Sequence, residues 1–479
     1  MSARDPAIDA LSLAEAIQTG QTSAGAAMEA SIRRASEQSG LGAICLLDEA
    51  MGLQNARAYD DARAVGTIDG TIACFGGVPF LAKDLGNHAG RLKVTSGSAA
   101  IDRRTEAEPS DSELFARFRK SGLLPFGLTT APEFGLSLTS EPPRGPIARN
   151  PWDPSRTPGG SSGGAAAAVT AGIVAIAHAT DAAGSIRVPA ACCGLVGLKP
   201  TRGTTPNGPA FSNHLMGLAG ELVLARSIRD VRAALDAAGG RAQGPYPDPT
   251  LTELAAGPAP LRLGVVAGTA GLASLGADQA TAVGSATRVL EQSGFVATEL
   301  DADVIAELSL RALACARAVL SASLAQWLDA LGIADDEVSP LSAAVAEDGR
   351  TMGAAHLFSV DVEMARVAHF LWSLFGDIDF IITPMLSGPP PKIGAFPNHQ
   401  TNADLHWAAI GALAPYAALA NVSGFPALSL PHGIDRNGLP LAVQLIGPMG
   451  ADRQLLAVGQ MLAHASPWTY QYAIAGAPA

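Results

Sequence analysis

Apolar residues recur along the chain at two different periods, and the two periods predict helices alternating with short strands. Apolar positions spaced every three to four residues are typical of a helix with one buried face. The segments with this helical period are 11–17, 28–35, 48–64, 112–121, 279–293, 304–331 and 353–375. For the helix at 112–121 we predict Ser110 or Asp111 as the N-cap, because a short polar side chain there can accept a free backbone N–H.

Short continuous apolar runs predict buried strands between these helices. The runs lie at 78–82, 123–128, 261–266, 295–300, 380–383 and 427–430. Strands that alternate with helices predict an α/β fold, here a mixed, mostly parallel, twisted sheet covered by helices on both faces. The Gly- and Pro-rich segments 239–260 and 387–402 are predicted to be long loops rather than domain linkers.

The composition restricts the partners and the compartment of the protein. With 48% hydrophobic and 16% charged residues, the chain can bury a large core. Its formal net charge of −12 argues against binding a nucleic acid, which requires clustered Lys and Arg. The five cysteines include no CxxC pair, which favours reduced thiols in a cytoplasmic protein.

No segment predicts membrane insertion. The N-terminal segment 1–16 is polar and reads as a capped amphipathic helix rather than a signal peptide. The longest run of low polarity, 163–177, is shorter than the ~20 residues that a membrane span requires. We predict that this run is one buried helix.

The densest chemical signal lies in the segment 159–201. Two serine-bearing turns, GGSSGG at 159–164 and AAGS at 182–185, are separated by a run of small residues. Gly-rich turns let backbone N–H groups approach a ligand closely. A hydroxyl held among such amides is suited to acyl transfer, because the amides stabilise the oxyanion. Ser185 is therefore our candidate nucleophile.

This segment resembles the signature of the amidase-signature family of serine hydrolases. The resemblance rests on GGSSGG, GSIR and CCGLVGLKPT, together with GVPFLAKDLGN, APEFGL and RNPWD upstream. Towards the C-terminus, DFIITPMLSGPPP, NVSGFPALSLPHG and GLPLAVQLIG follow the family's closing pattern, whereas the middle of the chain matches only loosely. The resemblance implies the family's fold and hydrolysis of a C–N bond through an acyl-enzyme, with no cofactor.

The resemblance also implies a role for each catalytic residue. Ser185 is the nucleophile, Lys83 is the base, and Ser161, whose peptide bond is cis in the family, relays the proton between them. The predicted oxyanion hole consists of the backbone N–H groups of Ala182, Ala183, Gly184 and Ser185. Ala182 and Ala183 stand where the family commonly has glycine, so Gly184 alone can adopt a positive φ without penalty.

Lys83 can act as a base only if its pKa is lowered. An ordinary lysine has a pKa near ~10.4 and is protonated at neutral pH. Burial disfavours the charged form, and Lys83 ends an apolar run. An ion pair with Asp84 would keep it charged, but neighbours on a strand face opposite sides of the sheet.

Four more residues are predicted to bind substrate or support the site: Gly135, Ser162, Asp181 and Arg187. Asp181 and Arg187 flank the nucleophile, and we predict that they form an internal ion pair. Ser162 is predicted to hold the serine turn by hydrogen bonds.

Two other motifs are incomplete in this sequence, and the spacing of metal ligands is missing from it. Residues 159–163 match the G-x-S-x-G nucleophile elbow, with His432 as a possible partner, but the preceding segment is polar and Pro-rich rather than a buried strand. A phosphate-binding loop would end in G-K-[ST], which is missing. The nine histidines show no HExxH or paired ligand spacing, so no metal is predicted.

Lys83, Ser161 and Ser185 need a common site with C-terminal loops packed over it, so we predict one domain spanning 1–479 rather than two or three. Its parts are N-terminal helices at 1–70, a catalytic core at 71–240, a variable helical region on the substrate side at 241–370, and the rest of the core at 371–479. Apolar candidates for the pocket are Phe134, Leu136, Leu138, Trp327, Trp372, Trp407 and Tyr416. Whether Cys315 contributes to the pocket is left open.

The predicted partner is a small amide or carbamate, including aryl amides and nylon-type oligomers, with ester cleavage as a side activity. A homodimer is possible. One alternative is the A-type subunit of a glutamine-dependent tRNA amidotransferase, although that branch usually has glutamine where this chain has Val188. Another alternative is a catalytically silent protein that only binds a ligand. The presence of Lys83, Ser161 and Ser185 together argues against it.

Overall fold

The chain folds into alternating helices and strands, described over residues 9–68, 73–206, 215–242, 244–254, 260–269 and 271–478 of a computed structural model. The α-helices in these ranges are α1 (Ala10–Gln18), α2 (Ala24–Glu37), α3 (Glu49–Ala64), α4 (Ala99–Asp102), α5 (Glu113–Lys120), α6 (Gly163–Thr170), α7 (Arg187–Cys193), α8 (Ile228–Ala238), α9 (Ala277–Gln292), α10 (Ala302–Ala330), α11 (Pro340–Arg350), α12 (Ala354–Leu374), α13 (Ala403–Leu413), α14 (Ala417–Ser423) and α15 (Asp452–Ala465). The strands are β1 (Ile44–Leu47), β2 (Val78–Lys83), β3 (Leu123–Thr129), β4 (Ile176–Asp181), β5 (Val196–Lys199), β6 (Gly220–Ala225), β7 (Arg262–Val265), β8 (Val296–Glu299), β9 (Phe380–Pro384), β10 (Ala427–Ile434) and β11 (Pro440–Ile446).

These strands form one mixed sheet in the order β1-β3-β2-β4-β6-β5-β10-β11-β9-β7-β8. The predicted single domain with a mixed, helix-covered sheet is confirmed. The pairs β3–β2, β2–β4, β9–β7 and β7–β8 are parallel, and the other described neighbours are antiparallel. More of the neighbouring strand pairs are antiparallel than the alternation of strands and helices predicted. One reason is that β10 and β11 are joined by a tight turn, closed by Asp435 N–H on the Leu439 carbonyl, which only antiparallel strands can use.

The N-cap of helix α5 lies one or two residues after the predicted position. Ser112 is the N-cap, and its hydroxyl accepts the Phe115 N–H at 3.4 Å. Asp111 is occupied elsewhere, because its carboxylate accepts the Gly90 N–H at 2.7 Å and Arg119 Nε at 2.6 Å. The predicted cap at Ser110 or Asp111 is therefore wrong.

The small-residue run at 163–177 is not one helix, as predicted, but a helix followed by a strand. Helix α6 ends at Thr170 and β4 begins at Ile176. Gly172 turns the chain between them with a φ of +68°, and a Cβ at this position would lie 2.2 Å from the carbonyl oxygen of Ala473. Glycine is required there both by the backbone conformation and by this close approach.

The candidate site lies at one edge of the sheet, where two parallel strands end. Every residue of β2, β3 and β4 is buried. Lys83 is the last residue of β2 and Asp181 the last of β4, and the two strands are parallel neighbours. The carboxyl ends of neighbouring parallel strands meet at one edge, which is where α/β folds commonly bind ligands.

In the described parts of 239–260 and 387–402, no helix or strand occurs, so both segments are loops, as predicted.

No single helix in the described residues is long and apolar enough to cross a membrane. The helices Ala403–Leu413 and Ala417–Ser423, bent by 101° from each other, meet that test only as a pair.

Candidate active site

Lys83 lies at the centre of a buried hydrogen-bonded group. Its Nζ atom is 2.7 Å from Ser161 Oγ and 2.7 Å from Thr180 Oγ1, and the side chain is fully buried. Burial lowers the pKa of Lys83 to about 7, although the carboxylates of Glu221 and Asp181 act in the opposite direction. At neutral pH a substantial fraction of this amine therefore carries no positive charge.

Asp84 faces away from Lys83, as the alternation of side chains on a strand requires. Its carboxylate accepts the Thr95 N–H at 2.5 Å, the Thr95 hydroxyl at 2.6 Å and the Gly97 N–H at 3.0 Å. Asp84 thus fixes the loop that follows β2 rather than pairing with the lysine.

The serine turn brings Ser161 to this lysine. The Gly160–Ser161 peptide bond is cis, as the family resemblance implied. Ser140 Oγ holds the turn, lying 3.2 Å from the carbonyl oxygens of both Gly159 and Ser161 and accepting the Gly163 N–H at 2.9 Å. The flanking glycines are required by space, since a Cβ on Gly160 would lie 2.5 Å from the Thr139 nitrogen.

Ser162 ties the serine turn to the end of β4. Its hydroxyl donates to the Thr180 carbonyl at 3.2 Å and lies 3.3 Å from the Thr180 nitrogen, whose N–H it accepts. The hydrogen-bonding role predicted for Ser162 is present in the structure. Ser161 and Thr180 are thereby held on either side of the lysine amine.

The turn that carries Ser185 has the backbone expected from its sequence. Gly184 has a φ of +115°, and neither alanine before it has a positive φ. A Cβ on Gly184 would lie 2.8 Å from the Cβ of Ala417 and 3.3 Å from Val188 Cγ2. Glycine is required at this position by conformation and by space, whereas Ala182 and Ala183 fit.

One predicted oxyanion donor is already occupied. The N–H of Gly184 donates to Asp181 Oδ1 at 2.7 Å, so it points into the protein rather than towards a bound acyl oxygen. The inclusion of Gly184 among the donors is corrected on this ground. The remaining candidates are the N–H groups of Ala182, Ala183 and Ser185.

Asp181 and Arg187 form the predicted ion pair beneath this turn. Both side chains are fully buried, and Arg187 binds both oxygens of the carboxylate at 2.9 Å. Burial alone would raise the pKa of Asp181, but the guanidinium of Arg187 outweighs it and holds that pKa well below its usual range. The carboxylate also accepts the Ile186 N–H at 3.1 Å, so the pair fixes the backbone around Ser185.

Two residues from the C-terminal part of the chain complete this pair. Arg187 donates to Gln444 Oε1 and to Asn421 Oδ1, both at 2.6 Å. Asn421 also donates from Nδ2 to the backbone carbonyl of Asp181 and to its carboxylate, both at 2.9 Å. Every charge in this cluster is met by a partner, which is the condition under which buried charges persist.

Sequence reasoning missed a second buried group beside the lysine. The Lys83 backbone N–H donates to His178 Nδ1 at 3.3 Å, and His178 Nε2 lies 2.8 Å from Glu221 Oε2. Asn87 donates from its side chain to Glu221 Oε1 at 2.8 Å. A polar residue inside an otherwise apolar strand, as at His178, Thr180 and Glu221, was the available signal.

A cavity of about 450 Å³ opens onto Ser161, Thr180 and Ser185. Among the residues that the structure describes, none that lines it carries an ionisable side chain. Its apolar walls consist of Leu85, Val94, Ile101, Phe134, Leu136, Leu138, Leu215, Leu320, Leu324, Trp327, Leu331, Trp407 and Ile410. Gly135 lies against the catalytic group, since a Cβ there would be 3.5 Å from Ser161 Oγ and 2.5 Å from Leu85 Cδ2.

Most of the apolar pocket candidates line this cavity, but two do not. Tyr416 is fully buried elsewhere, with its hydroxyl donating to the Gly268 carbonyl at 2.8 Å. Trp372 packs against Phe425, with ring centroids 5.0 Å apart. Cys315 is buried in a cluster of apolar residues that includes Val360 and Met364, and it is not among the described residues that line the cavity. Burial raises the pKa of its thiol to about 11.

Comparison with known proteins agrees with this geometry. The Amidase family profile matches residues 26–456. The 6-aminohexanoate-cyclic-dimer hydrolase of Pseudomonas sp. (strain NK87) is 32% identical over 418 residues, covering 82% of this chain and 84% of the relative. A solved structure of 6-aminohexanoate cyclic dimer hydrolase matches with a TM-score of 0.85 and 28% identity, over 97% of this chain and 98% of the other.

The amidotransferase alternative is not favoured. The A-type component of the glutamyl-tRNA(Gln) amidotransferase from Thermotoga maritima matches with a lower TM-score of 0.66, at 23% identity, over 85% of this chain and 88% of that chain. Identity at this level shows a shared fold and nothing finer. The profile match over most of the chain and the cyclic-dimer hydrolase relatives show that this chain belongs to the Amidase family and is an amide-hydrolysing enzyme.

Proposed function

We propose that the enzyme cleaves amides through an acyl-enzyme on Ser185, with Lys83 as the base and Ser161 as the proton relay. The observation that carries this proposal is the 2.7 Å contact between Lys83 Nζ and Ser161 Oγ in a cavity that also exposes Ser185. A serine hydroxyl is a poor nucleophile until a base removes its proton. A buried lysine with a pKa of about 7 can serve as that base.

In the first half of the reaction, Ser185 Oγ attacks the carbonyl carbon and the proton of its hydroxyl passes to Ser161. The proton of Ser161 passes in turn to Lys83, whose other hydrogen bond to Thr180 keeps the lone pair directed at Ser161. The N–H groups of Ala182, Ala183 and Ser185 stabilise the oxyanion of the tetrahedral intermediate. The intermediate then collapses, the C–N bond breaks, and the proton returns through Ser161 to the departing amine.

In the second half, water hydrolyses the ester formed on Ser185. The same relay accepts a proton from the water as it attacks the acyl carbon. The C–O bond to Ser185 breaks, Ser185 recovers its proton, and the carboxylic acid leaves. The relay thus ends in its starting state, with Lys83 neutral.

We infer that the substrate is an uncharged amide with an apolar body, such as an aryl amide or a cyclic oligomer of 6-aminohexanoate. The support is the cavity wall, which is aromatic and aliphatic around a few neutral polar groups. A charged substrate would lose its hydration there without gaining a partner. The cyclic-dimer hydrolase relatives point to the same class. Carbamates and activated esters present the same carbonyl to Ser185, and we propose them as side substrates.

Labelling with a fluorophosphonate tests the nucleophile directly. The intact enzyme should gain the mass of one phosphonyl group, and peptide mapping should place it on Ser185. Labelling of another residue, or labelling that persists in Ser185→Ala, would contradict the assignment. A panel of anilides, cyclic diamides and carbamates, each paired with a charged analogue, then tests the preference for uncharged substrates.

We also propose a cytoplasmic location. All five cysteines are free, and Cys192 and Cys193 are adjacent and buried without being joined. Reduced thiols in this arrangement fit a reducing compartment. Fractionation of the source cells, with activity found outside the cytoplasm as the contradicting result, tests this location.

A further inference from the structure

Glu221, in strand β6, is a fully buried carboxylate outside the catalytic cavity. Its Oε2 atom accepts the Asn87 backbone N–H at 3.1 Å and lies 2.8 Å from His178 Nε2, and its Oε1 atom accepts Asn87 Nδ2 at 2.8 Å. Within the described part of the chain, His178 is the one basic side chain in contact with this carboxylate. A buried carboxylate is costly unless a cation balances its charge, so the protonation state of His178 matters.

The hydrogen bonds of His178 indicate that its ring is neutral. His178 Nδ1 lies 3.3 Å from the backbone nitrogen of Lys83 and accepts its N–H, so the ring hydrogen is on Nε2 and is donated to Glu221. An imidazolium carries a hydrogen on both nitrogens and would lose the bond from Lys83. The negative charge of Glu221 is therefore not balanced by His178.

The surroundings of this pair are apolar. Phe115 and Phe118 are fully buried, and their ring centroids lie 4.9 Å and 6.3 Å from that of His178. A charge in such surroundings acts more strongly on its neighbours than it does in water. The charge of Glu221 consequently reaches the amine of Lys83.

Glu221 is the carboxylate with the largest effect on Lys83. Burial dominates the pKa of Lys83 and lowers it, and the carboxylates of Glu221, Asp181 and Asp84 oppose this, in that order. The charge of Asp181 is balanced by Arg187 at 2.9 Å. Asp84 faces away from the amine, and burial raises its pKa. Glu221 thus supplies the unbalanced negative charge beside the base.

We propose that Glu221 is a positioning residue of the amidase reaction, whose charge stabilises Lys83 in the steps in which the amine holds the proton of Ser161. The proposal rests on the role of Lys83 as the base. Lys83 becomes a buried cation when it accepts that proton, and its Nζ atom contacts only the hydroxyls of Ser161 and Thr180 among the described residues. A carboxylate that is fixed in place beforehand offsets the cost of this cation without any rearrangement during the transfer.

The indirect placement of Glu221 suits this role. A carboxylate hydrogen-bonded to Lys83 Nζ would hold the amine as a permanent ion pair, and a protonated lysine cannot accept the proton of Ser161. The bonds from His178 and Asn87 hold Glu221 in a separate position beside the base. Glu221 therefore stabilises the cation without making it the resting form.

Glu221→Gln tests the proposal, because it removes the charge and keeps the shape of the side chain. The new amide oxygen can accept both hydrogen bonds of Oε2, and the Asn87 amide can turn so that its oxygen accepts the new N–H. The acid limb of kcat/KM for an anilide should move down by about one pH unit or more, since loss of an opposite charge lowers the pKa of a lysine. On the plateau kcat should fall about tenfold or more, because the cation loses its stabilising charge. KM should change little, because Glu221 is not among the described residues that line the cavity.

Asn87→Ala is the matched control, because it removes a neutral hydrogen bond from the same carboxylate and leaves the charge. Its acid limb should coincide with that of the wild type, and so should that of Glu221→Asp, which keeps the charge on a shorter side chain. An unmoved acid limb in Glu221→Gln, or an equal shift in Asn87→Ala, overturns the proposal. If Glu221→Gln does not fold, the double variant of Glu221→Gln and Asn87→Ala takes its place, with the same two outcomes.

An NMR titration of the lysine Cε signals measures the effect on Lys83 directly. The chain has five lysines, so the spectrum is simple, and the signal missing from Lys83→Ala identifies Lys83. Glu221→Gln should lower the titration midpoint of this signal. Lys199 is the internal reference: burial lowers its pKa to about 7 as well, but the charges that act on it most strongly are those of Arg187 and Asp181.

The titration separates failure of this proposal from failure of the proposed function. An unmoved Lys83 midpoint in Glu221→Gln overturns the role of Glu221 and leaves Lys83 as the base. Retained anilide activity in Lys83→Ala would instead contradict the base itself, and any role of Glu221 in the reaction with it.

Discussion

At the scale of single residues, the proposed chemistry depends on the protonation state of Lys83. An amine can accept a proton from Ser161 only when it is neutral. Burial lowers the pKa of Lys83 to about 7 from the 10.5 of an exposed lysine, so the neutral form predominates above neutral pH and the protonated form below it. Lys83 is therefore competent at a pH where an exposed lysine is not.

We predict that kcat/KM for an anilide falls as the pH drops through about 7, because protonation of Lys83 removes the base. Lys83→Ala should cost more on anilides than on activated esters, since an amine leaves only after it is protonated. The measurement is a pH–rate profile of both enzymes on an anilide and an ester with the same acyl group. Equal losses on the two substrates would show that Lys83 serves only the fold.

We predict that Ser185→Ala and Ser161→Ala each leave less than about 1% of the amidase activity, with comparable losses, because residues that act as one unit fail together. The melting temperature should stay close to that of the wild type, since a hydroxyl is lost without opening a large cavity. Ser137→Ala is a matched control, as Ser137 lines the same cavity but contacts Thr139 rather than the lysine. If Ser137→Ala lost as much amidase activity as the other two variants, the losses would reflect general damage to the cavity.

The residues with catalytic roles could be proposed from the sequence, whereas their supporting partners could not. Lys83, Ser161 and Ser185 lie in short local motifs with recognisable spacing. Thr180 and Asn421 are ordinary residues in the sequence, and only the folded chain brings their side chains to the lysine and to Asp181. The hydrogen bond from the Gly184 N–H to Asp181 could not be predicted either. The sequence gives the number of N–H donors in a turn but not the direction in which each one points.

At the scale of elements, the turn between β4 and α7 carries Ser185 and the proposed oxyanion donors. Asp181 at the end of β4 fixes its backbone from inside, and Gly184 provides its one positive φ. The remaining candidate donors belong to Ala182, Ala183 and Ser185, and all three residues line the cavity. Backbone geometry and pocket width are therefore controlled by different residues of the same turn.

We predict that Gly184→Ala lowers kcat by about a hundredfold or more, because the added Cβ meets Ala417 and the positive φ disfavours alanine. Ala183→Gly should stay within about tenfold, since every N–H donor survives, and should shift preference towards acyl groups that are bulkier beside the carbonyl. Steady-state kinetics on anilides of increasing acyl branching measures both. If Gly184→Ala kept its activity and Ala183→Gly lost it, the conclusion that the turn requires glycine at 184 rather than at 183 would be reversed.

The apolar periodicity predicted the type of each helix or strand more accurately than the residues at which it begins and ends. The long helices α10 and α12 lie within one or two residues of their predicted bounds. The break between α6 and β4 was missed because Ala, Gly and Val are compatible with either state over 163–177. Only the approach of Ala473 to Gly172 determines where the helix ends, and that contact joins residues distant in sequence.

At the scale of the whole molecule, the C-terminal segment 472–475 is hydrogen-bonded to the first half of the chain. Ala475 N–H donates to the Gly172 carbonyl at 2.9 Å, and Arg226 donates to the Tyr472 carbonyl at 2.7 Å. These contacts hold the end of the chain against the turn between α6 and β4. The segment therefore contributes to the stability of the core that carries Ser161.

We predict that Gly172→Ala lowers the melting temperature far more than Gly332→Ala. Both glycines have a positive φ, +68° and +61°, so both substitutions cost about 1–2 kcal/mol for the left-handed backbone. Only at Gly172 does the new Cβ also meet a carbonyl, whereas nothing lies within 4 Å at Gly332. Thermal melts of the two variants, monitored by circular dichroism, measure the difference. Equal shifts would show that the C-terminal segment moves aside without cost.

The cluster of Asp181, Arg187, Asn421 and Gln444 has a consequence for synthesis on the ribosome. Lys83, Ser161 and Ser185 all leave the exit tunnel while Asn421 and Gln444 are still to be translated. Until those two side chains are present, the guanidinium of Arg187 lacks two of its acceptors and Asp181 lacks the amide of Asn421, so the support of the Ser185 turn is incomplete. A nascent chain that already holds all three catalytic side chains is therefore expected to be inactive. Hydrolysis begins only when the last strands of the sheet are in place.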